Sequence, residues 1–144
     1  MPALFWQMPA LLERVDFISV GSNDLMQFLF ACDRGSTRLS GRYDVLSPSA
    51  LSFLNRIAQS CTRRQVTLTL CGEMAGRPLE AMALIGLGFR RLSMSPSAIG
   101  PVKAMLRSLD ASEVAAFLDT LLDLPDRALR SRLAAFARDR DIAV

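Results

Sequence analysis

Two short stretches carry residue types that can do chemistry. The first is "TLTLCGEMAG", residues 67–76, where a run of β-formers ends in Cys71 and is followed by Gly72 and Glu73. The second is "SVGSNDL", residues 19–25, where Asn23 and Asp24 follow a glycine. A thiol at the tip of a strand can act as a nucleophile or as a proton donor. The chain contains no histidine. That removes the usual partner for making a thiolate, and with it Ser-His-Asp, Cys-His and His-ligated zinc chemistry within this chain. A neutral thiol donating a proton to a developing carbanion fits better, and an inert buried cysteine is the plain alternative. Adjacent Asn23 and Asp24 suit an anion beside a hard cation, the carboxylate as an oxygen ligand and the amide as a donor. They equally suit a helix cap, and the two roles are compatible. Arg34 and Arg38, in "CDRGSTR", can grip a phosphate or carboxylate bidentately or simply face solvent. Glu73 can salt-bridge or bind a ligand, with the structural role favoured, and Cys61 reads as core on a helix face.

These groups need elements to position them. The 144 residues suffice for one domain with a true core, and at 51% hydrophobic and 22% charged the chain is globular. No apolar run approaches the roughly 18 residues of a membrane-spanning helix, and no signal peptide is read. A net charge of +3, with the charges scattered, does not argue for nucleic acid. The three cysteines form no CxxC pair and read as reduced, cytoplasmic thiols.

Along the chain, 3–14 reads as a helix flawed by Pro9, and 15–20 as a buried strand stopped by Gly21. A short helix follows, capped by Ser22 or Asn23. Residues 34–46 read as a loop. Ser47 and Pro48 open an amphipathic helix with Leu51, Leu54, Ile57, Ala58 and Cys61 on one face. "VTLTLC" is a second strand, "RPLEAMALIGLG" a helix ending at Gly88, and 90–94 a third strand. A helix interrupted at Gly100-Pro101 comes next. Two further helices follow, with Ser112 and Asp126 as candidate caps, Pro125 between them, and a solvated arginine face (Arg127, Arg130, Arg132, Arg138, Arg140).

Strands alternating with helices imply a parallel α/β sheet, whose sites lie at the carboxyl ends of the strands. Gly21, Ser22, Asn23, Asp24, Cys71, Gly72, Glu73, Ser93 and Ser95 all fall there. Three strands buried on both faces would leave two open edges, so a larger sheet or a second copy is expected, making a homo-oligomer one expectation.

"VDFISVGSNDLMQFLFACDR", "LSPSALSFLNRI" and "LTLCGEMAGRPLEAMALIGLGFRRLSMSPSAIGPVK" together resemble the phosphoenolpyruvate-binding C-terminal domain of Enzyme I, the phosphoenolpyruvate–protein phosphotransferase. "LFWQMPALLERVDF" and "QFLFACDR" are closer to its nitrogen-regulatory branch. Pyruvate phosphate dikinase and phosphoenolpyruvate synthase share related motifs. The resemblance implies a (β/α)8 TIM barrel, of which this chain holds the last three βα units over residues 1–110, with 111–144 as a helical extension packing on it. It implies Mg²⁺ ligated by Asp24, phosphoenolpyruvate contacted by Asn23 and Asp24, and its phosphate held by Arg34. Cys71 becomes the acid that protonates the enolate carbon to give pyruvate, while the phosphoryl group passes to a histidine on another domain and then to a histidine-containing phosphocarrier protein. The family's second Mg²⁺-ligating glutamate precedes a proline that matches Pro2, so it would fall just before Met1. The chain alone is therefore expected to be inactive, a part of a larger phosphotransferase. A fragment of pyruvate phosphate dikinase or phosphoenolpyruvate synthase, or a non-catalytic assembly module derived from the barrel, is the alternative.

Overall fold

The computed structural model describes residues 1–33, 35–36, 43–122 and 129–144. It is an α/β chain built on a three-stranded parallel sheet in the order β1-β2-β3. The strands are β1 (Phe17–Gly21), β2 (Thr67–Cys71) and β3 (Leu92–Ser93). The register pairs Ser19 with Thr69, Gly21 with Cys71, and Cys71 with Ser93. The tips of all three strands therefore meet at one end of the sheet.

The expectation of two buried faces is corrected. Side chains alternate along a strand, and here only one set goes inward. Val20 and Leu70 are buried, while Phe17, at 64% exposure, and Ser19 lie on the open face. The residues themselves explain this, since Thr67, Thr69 and Cys71 alternate with Leu68 and Leu70 and only the leucine side has apolar partners in the helices.

The helical segment expected over 3–14 is divided. A 3-10 turn, Pro2–Gln7, leads into α1, Met8–Leu12, with Pro9 in its first turn. Proline lacks the N–H that a continuous helix would need at that point, and the first turn is where it is tolerated. After β1, α2 (Ser22–Leu29) begins at once. The rings of Phe30 and Tyr43 stack at 4.6 Å and bring together the two ends of the segment between α2 and α3. α3, Pro48–Arg63, starts as expected, with Ser47 accepting from the Ala50 amide and Leu51, Leu54, Ile57, Ala58 and Cys61 buried. Burial pushes the Cys61 thiol up from its ordinary pKa.

The glycine-punctuated stretch after Cys71 is not all loop. Glu73–Gly76 forms a single helical turn, α4, and α5 spans Pro78–Gly86. α5 stops in a Schellman arrangement, with Gly88 at φ +98 and the Gly88 and Phe89 amides donating back to Ile85 and Leu84. β3 is shorter than the five residues expected: Leu92 and Ser93 are in register with Leu70 and Cys71, and the Arg91 carbonyl accepts from the Leu70 amide. α6, Pro96–Arg107, is continuous, with Pro101 inside it and not interrupting it. The carbonyl left without its i+4 donor is that of Ser97, on an exposed residue near the helix start where water can satisfy it.

α7 (Ala111–Leu122) and α8 (Leu129–Asp139) complete the described chain. Asp110, not Ser112, caps α7. Its Oδ1 accepts from the Ser112 amide at 2.8 Å, the Ser112 hydroxyl at 2.6 Å and the Glu113 amide. Asp126 and Pro125, expected at the start of α8, and Arg127 lie outside the described residues. The arginine face is only partly solvated. Arg130 donates from Nε to Asp44 Oδ2 at 2.7 Å, and from a terminal nitrogen to Asp44 Oδ1 at 2.9 Å and Glu80 Oε1 at 2.8 Å. Arg140 pairs with Glu113 at 2.8 Å and stacks on Phe136.

Candidate functional site

The carboxyl ends of β1, β2 and β3 border a cavity of about 490 Å³. Asn23, Cys71, Gly72, Glu73, Arg77, Ser93 and Ser95 are among its walls. Parallel α/β sheets place their ligands at this end, because loops there leave side chains and helix starts facing a common space. The structure thus brings Asn23 and Cys71 to one cavity from segments 48 positions apart in the sequence.

Cys71 is half-buried, and its thiol is held between two groups of β1. The Sγ–H donates to the Val20 carbonyl at 3.6 Å, and Ser19 Oγ donates to Sγ at 3.8 Å. A thiol can serve as a general acid. Ser19 was not singled out from the sequence. Its signal is the two-residue period that puts Ser19, Gly21 and Cys71 on one face, once the register is known.

Ser22 and Asn23 serve tertiary bonds in place of helix capping. No side chain caps α2. Ser22, nearly fully buried, donates its hydroxyl to the Cys71 carbonyl at 3.0 Å. Asn23 Oδ1 accepts from the Glu73 amide at 3.4 Å. With the carbonyl end of the amide turned to Glu73, its Nδ2–H₂ end is the one left to meet an anion. Gly72 makes this corner possible. At φ +121 it takes a backbone conformation that side chains resist, and a Cβ there would lie 2.4 Å from Ser22 Oγ and 3.1 Å from Asn23 Oδ1.

Asp24 is exposed in the first turn of α2 and lines a different cavity, of about 340 Å³, with Phe5, Ile18, Phe28 and Phe53. Glu73 pairs with Arg77 at 3.1 Å, as expected of a salt-bridging residue. Arg34 and Arg38 lie outside the described residues. Among the described residues no cluster of three or more His, Cys, Asp or Glu could enclose a metal ion by itself. Asp24 is one hard oxygen donor, which fits Mg²⁺. That ion keeps several waters and is held by one or two carboxylates together with substrate phosphate.

Residues 1–111 match the family model described as the PEP-utilising enzyme, PEP-binding domain. The chain belongs to this family. Curated PEP-utilising relatives agree. A protein of Escherichia coli (strain K12) named "Phosphoenolpyruvate-dependent phosphotransferase system" is 41% identical over 138 residues, which is 96% of this chain and 18% of the relative. A protein of the same name from Salmonella typhimurium is 40% identical over 141 residues, 97% of the chain and 19% of the relative. The "Phosphoenolpyruvate-protein phosphotransferase" of Borreliella burgdorferi is 34% identical over 113 residues, 78% of the chain and 20% of the relative. The chain spans about a fifth of the length of these relatives. The chain is therefore a PEP-binding-domain portion akin to phosphotransferases of the Enzyme I type. The two relatives from Escherichia coli and Salmonella are matched beyond residue 111 as well, through α7 and α8.

Proposed function

We propose that this chain supplies the phosphoenolpyruvate-binding and proton-donating end of a phosphoenolpyruvate–protein phosphotransferase. The observation that carries the proposal is the shared cavity of Asn23 and Cys71, with the thiol within hydrogen-bonding distance of the Val20 carbonyl. Residues 1–110 form the last three βα units of a (β/α)8 barrel and 111–144 a helical extension on it. The three parallel strands and the open sheet face, which would turn toward a barrel interior, support this.

In the proposed reaction, phosphoenolpyruvate surrenders its phosphoryl group to a protein histidine. The electron pair of the breaking O–P bond returns to the enolate oxygen, and C3 becomes basic. Cys71 gives C3 its thiol proton, and pyruvate leaves. Asn23 donates to the substrate, Asp24 contributes a carboxylate to Mg²⁺, and Arg34 grips the phosphate. Mg²⁺, when bound, supplies charge stabilisation to the phosphoryl oxygens. The histidine belongs to another domain, since this chain has none, and passes the group to a histidine-containing phosphocarrier. Three free cysteines fit a reducing, cytoplasmic setting.

The isolated chain should bind phosphoenolpyruvate weakly with Mg²⁺ and turn nothing over. Calorimetry with both ligands tests the first part, and a pyruvate assay the second. Pyruvate release by the chain alone would overturn the inactivity, and no heat at millimolar ligand would sink the binding. A second reading, an assembly module closed by another copy, draws on the exposed Phe17 and on the outer edges of β1 and β3, which pair with no further strand among the described residues. A clean monomer in sedimentation would remove it.

A further inference from the structure

Among the described residues that line the Cys71 cavity, Arg77 carries the one positive charge and Glu73 the one negative charge. The two are paired at 3.1 Å, with side chains 58% and 71% exposed. Such a pair is weakly held, because water screens the attraction and ordering two long side chains opposes it. Their backbones are not loose. The Glu73 amide is bonded to Asn23 Oδ1, and the Arg77 carbonyl accepts from the Ala81 amide at 2.8 Å. Arg77 stands in extended conformation at the joint between α4 and α5. A guanidinium thus pivots from a fixed base at the rim of the cavity, currently satisfied by a carboxylate from the same rim.

We infer that Arg77 is an anion-binding residue of this site and that Glu73 is its resident competitor. A small carboxylate or phosphate entering the cavity takes the place of the Glu73 carboxylate on Arg77, with the planar fork of the guanidinium suited to either. This inference rests on the reading of the Cys71 cavity as the ligand site. It gives the two charges opposite roles: Arg77 favours anions near the thiol and Glu73 opposes them. A pair whose charges did not reach the surroundings of the thiol would show no such opposition.

Cys71 can report the local field without any bound substrate. The full 144-residue chain would be alkylated at low ionic strength with anionic iodoacetate and, separately, neutral iodoacetamide. Peptide mass mapping would follow Cys71, with half-buried Cys32 as the reference. The iodoacetate-to-iodoacetamide rate ratio at Cys71 should fall about two- to threefold in Arg77→Gln and rise by a similar factor in Glu73→Gln, as expected for unit charges lining the same wet cavity. Arg77→Lys should keep the wild-type ratio. Salt of about 0.5 M should compress all differences. A Cys71 ratio unmoved by Arg77→Gln, or moved in the same direction by both neutralising variants, would overturn the inference. Protection of Cys71 by phosphoenolpyruvate with Mg²⁺ is scored separately. Opposite ratio shifts without protection would retain Arg77 as an anion receiver and count against phosphoenolpyruvate as the ligand.

Discussion

Cys71, Gly72 and Ser22 show how much of a site can depend on one absent methyl group. Ser22 reaches the Cys71 carbonyl, and Asn23 reaches the Glu73 amide, because Gly72 has no Cβ to block either. Gly72→Ala combines a positive φ with a contact of 2.4 Å. It is expected to cost about 1–3 kcal/mol in urea unfolding and to separate Asn23 from the thiol. An unchanged midpoint would mean that the corner relaxes freely. In a complete phosphotransferase carrying this segment, Cys71→Ser should abolish turnover and leave phosphoenolpyruvate binding intact, because a hydroxyl is a much weaker acid toward carbon than a thiol. Loss of binding would make the thiol structural. Residue types made Cys71 and Asn23 legible in the sequence. Ser19 was not, since its contact with Cys71 exists only through the pairing of β1 with β2.

At the scale of elements, α7 packs closely on α5 at Gly86. A Cβ there would meet Val114 Cγ1 and Leu118 Cδ1 of α7, each at 2.6 Å, with the Val114 backbone behind them. Gly86→Ala should therefore overpack the α5–α7 interface by about 1–3 kcal/mol. Adding Leu118→Ala should recover less than half, because Val114 still obstructs, and full recovery would show that the leucine alone yields. Local signals placed most elements correctly. Ser47-Pro48 opens α3, Gly88 closes α5, and the period of Leu51, Leu54, Ile57 and Cys61 marks the buried face. Boundaries and the two proline effects were less legible. A proline can coincide with a change of helix type, as Pro9 does within 3–14, or be carried within a helix, as Pro101 is.

At the scale of the molecule, Arg130 ties α8 to two distant segments. It forks onto Asp44 and also reaches Glu80, a carboxylate only 3% exposed. Burial pushes the Asp44 carboxyl upward, but hydrogen bonds from Arg130 and the Leu46 amide, with the Arg130 charge, hold it below its ordinary value. The hydrogen bond with Asp44 chiefly holds the Arg130 pKa up. Arg130→Met should destabilise the chain by about 2–3 kcal/mol, mainly because Glu80 is left buried without its cation, with a discount for the half-exposed arginine. A loss below about 0.5 kcal/mol in thermal or urea unfolding would show that Glu80 finds another partner. The pH dependence has a definite sign. Since Asp44 has a lowered folded pKa, its contribution is complete above about pH 4 and is lost as the pH falls through the folded value. Wild type should thus exceed Asp44→Asn at neutral pH, and the gap should close below about pH 4. A gap that widens on acidification would contradict the assignment.

The sequence by itself determined the alternation of strands and helices, the cysteine at a strand tip, and a chemistry without histidine. Each is written in neighbouring residues, as a period of two, a period near four, a cap or an absence. Only the tertiary structure decided that Asn23 shares the cavity of Cys71 while Asp24 borders another, that one face of the sheet stays open, and that Arg130 is bound and not simply solvated. Those outcomes depend on partners far apart in sequence, 86 positions for Arg130 and Asp44. Strand register and helix packing choose such partners, and no local pattern encodes them.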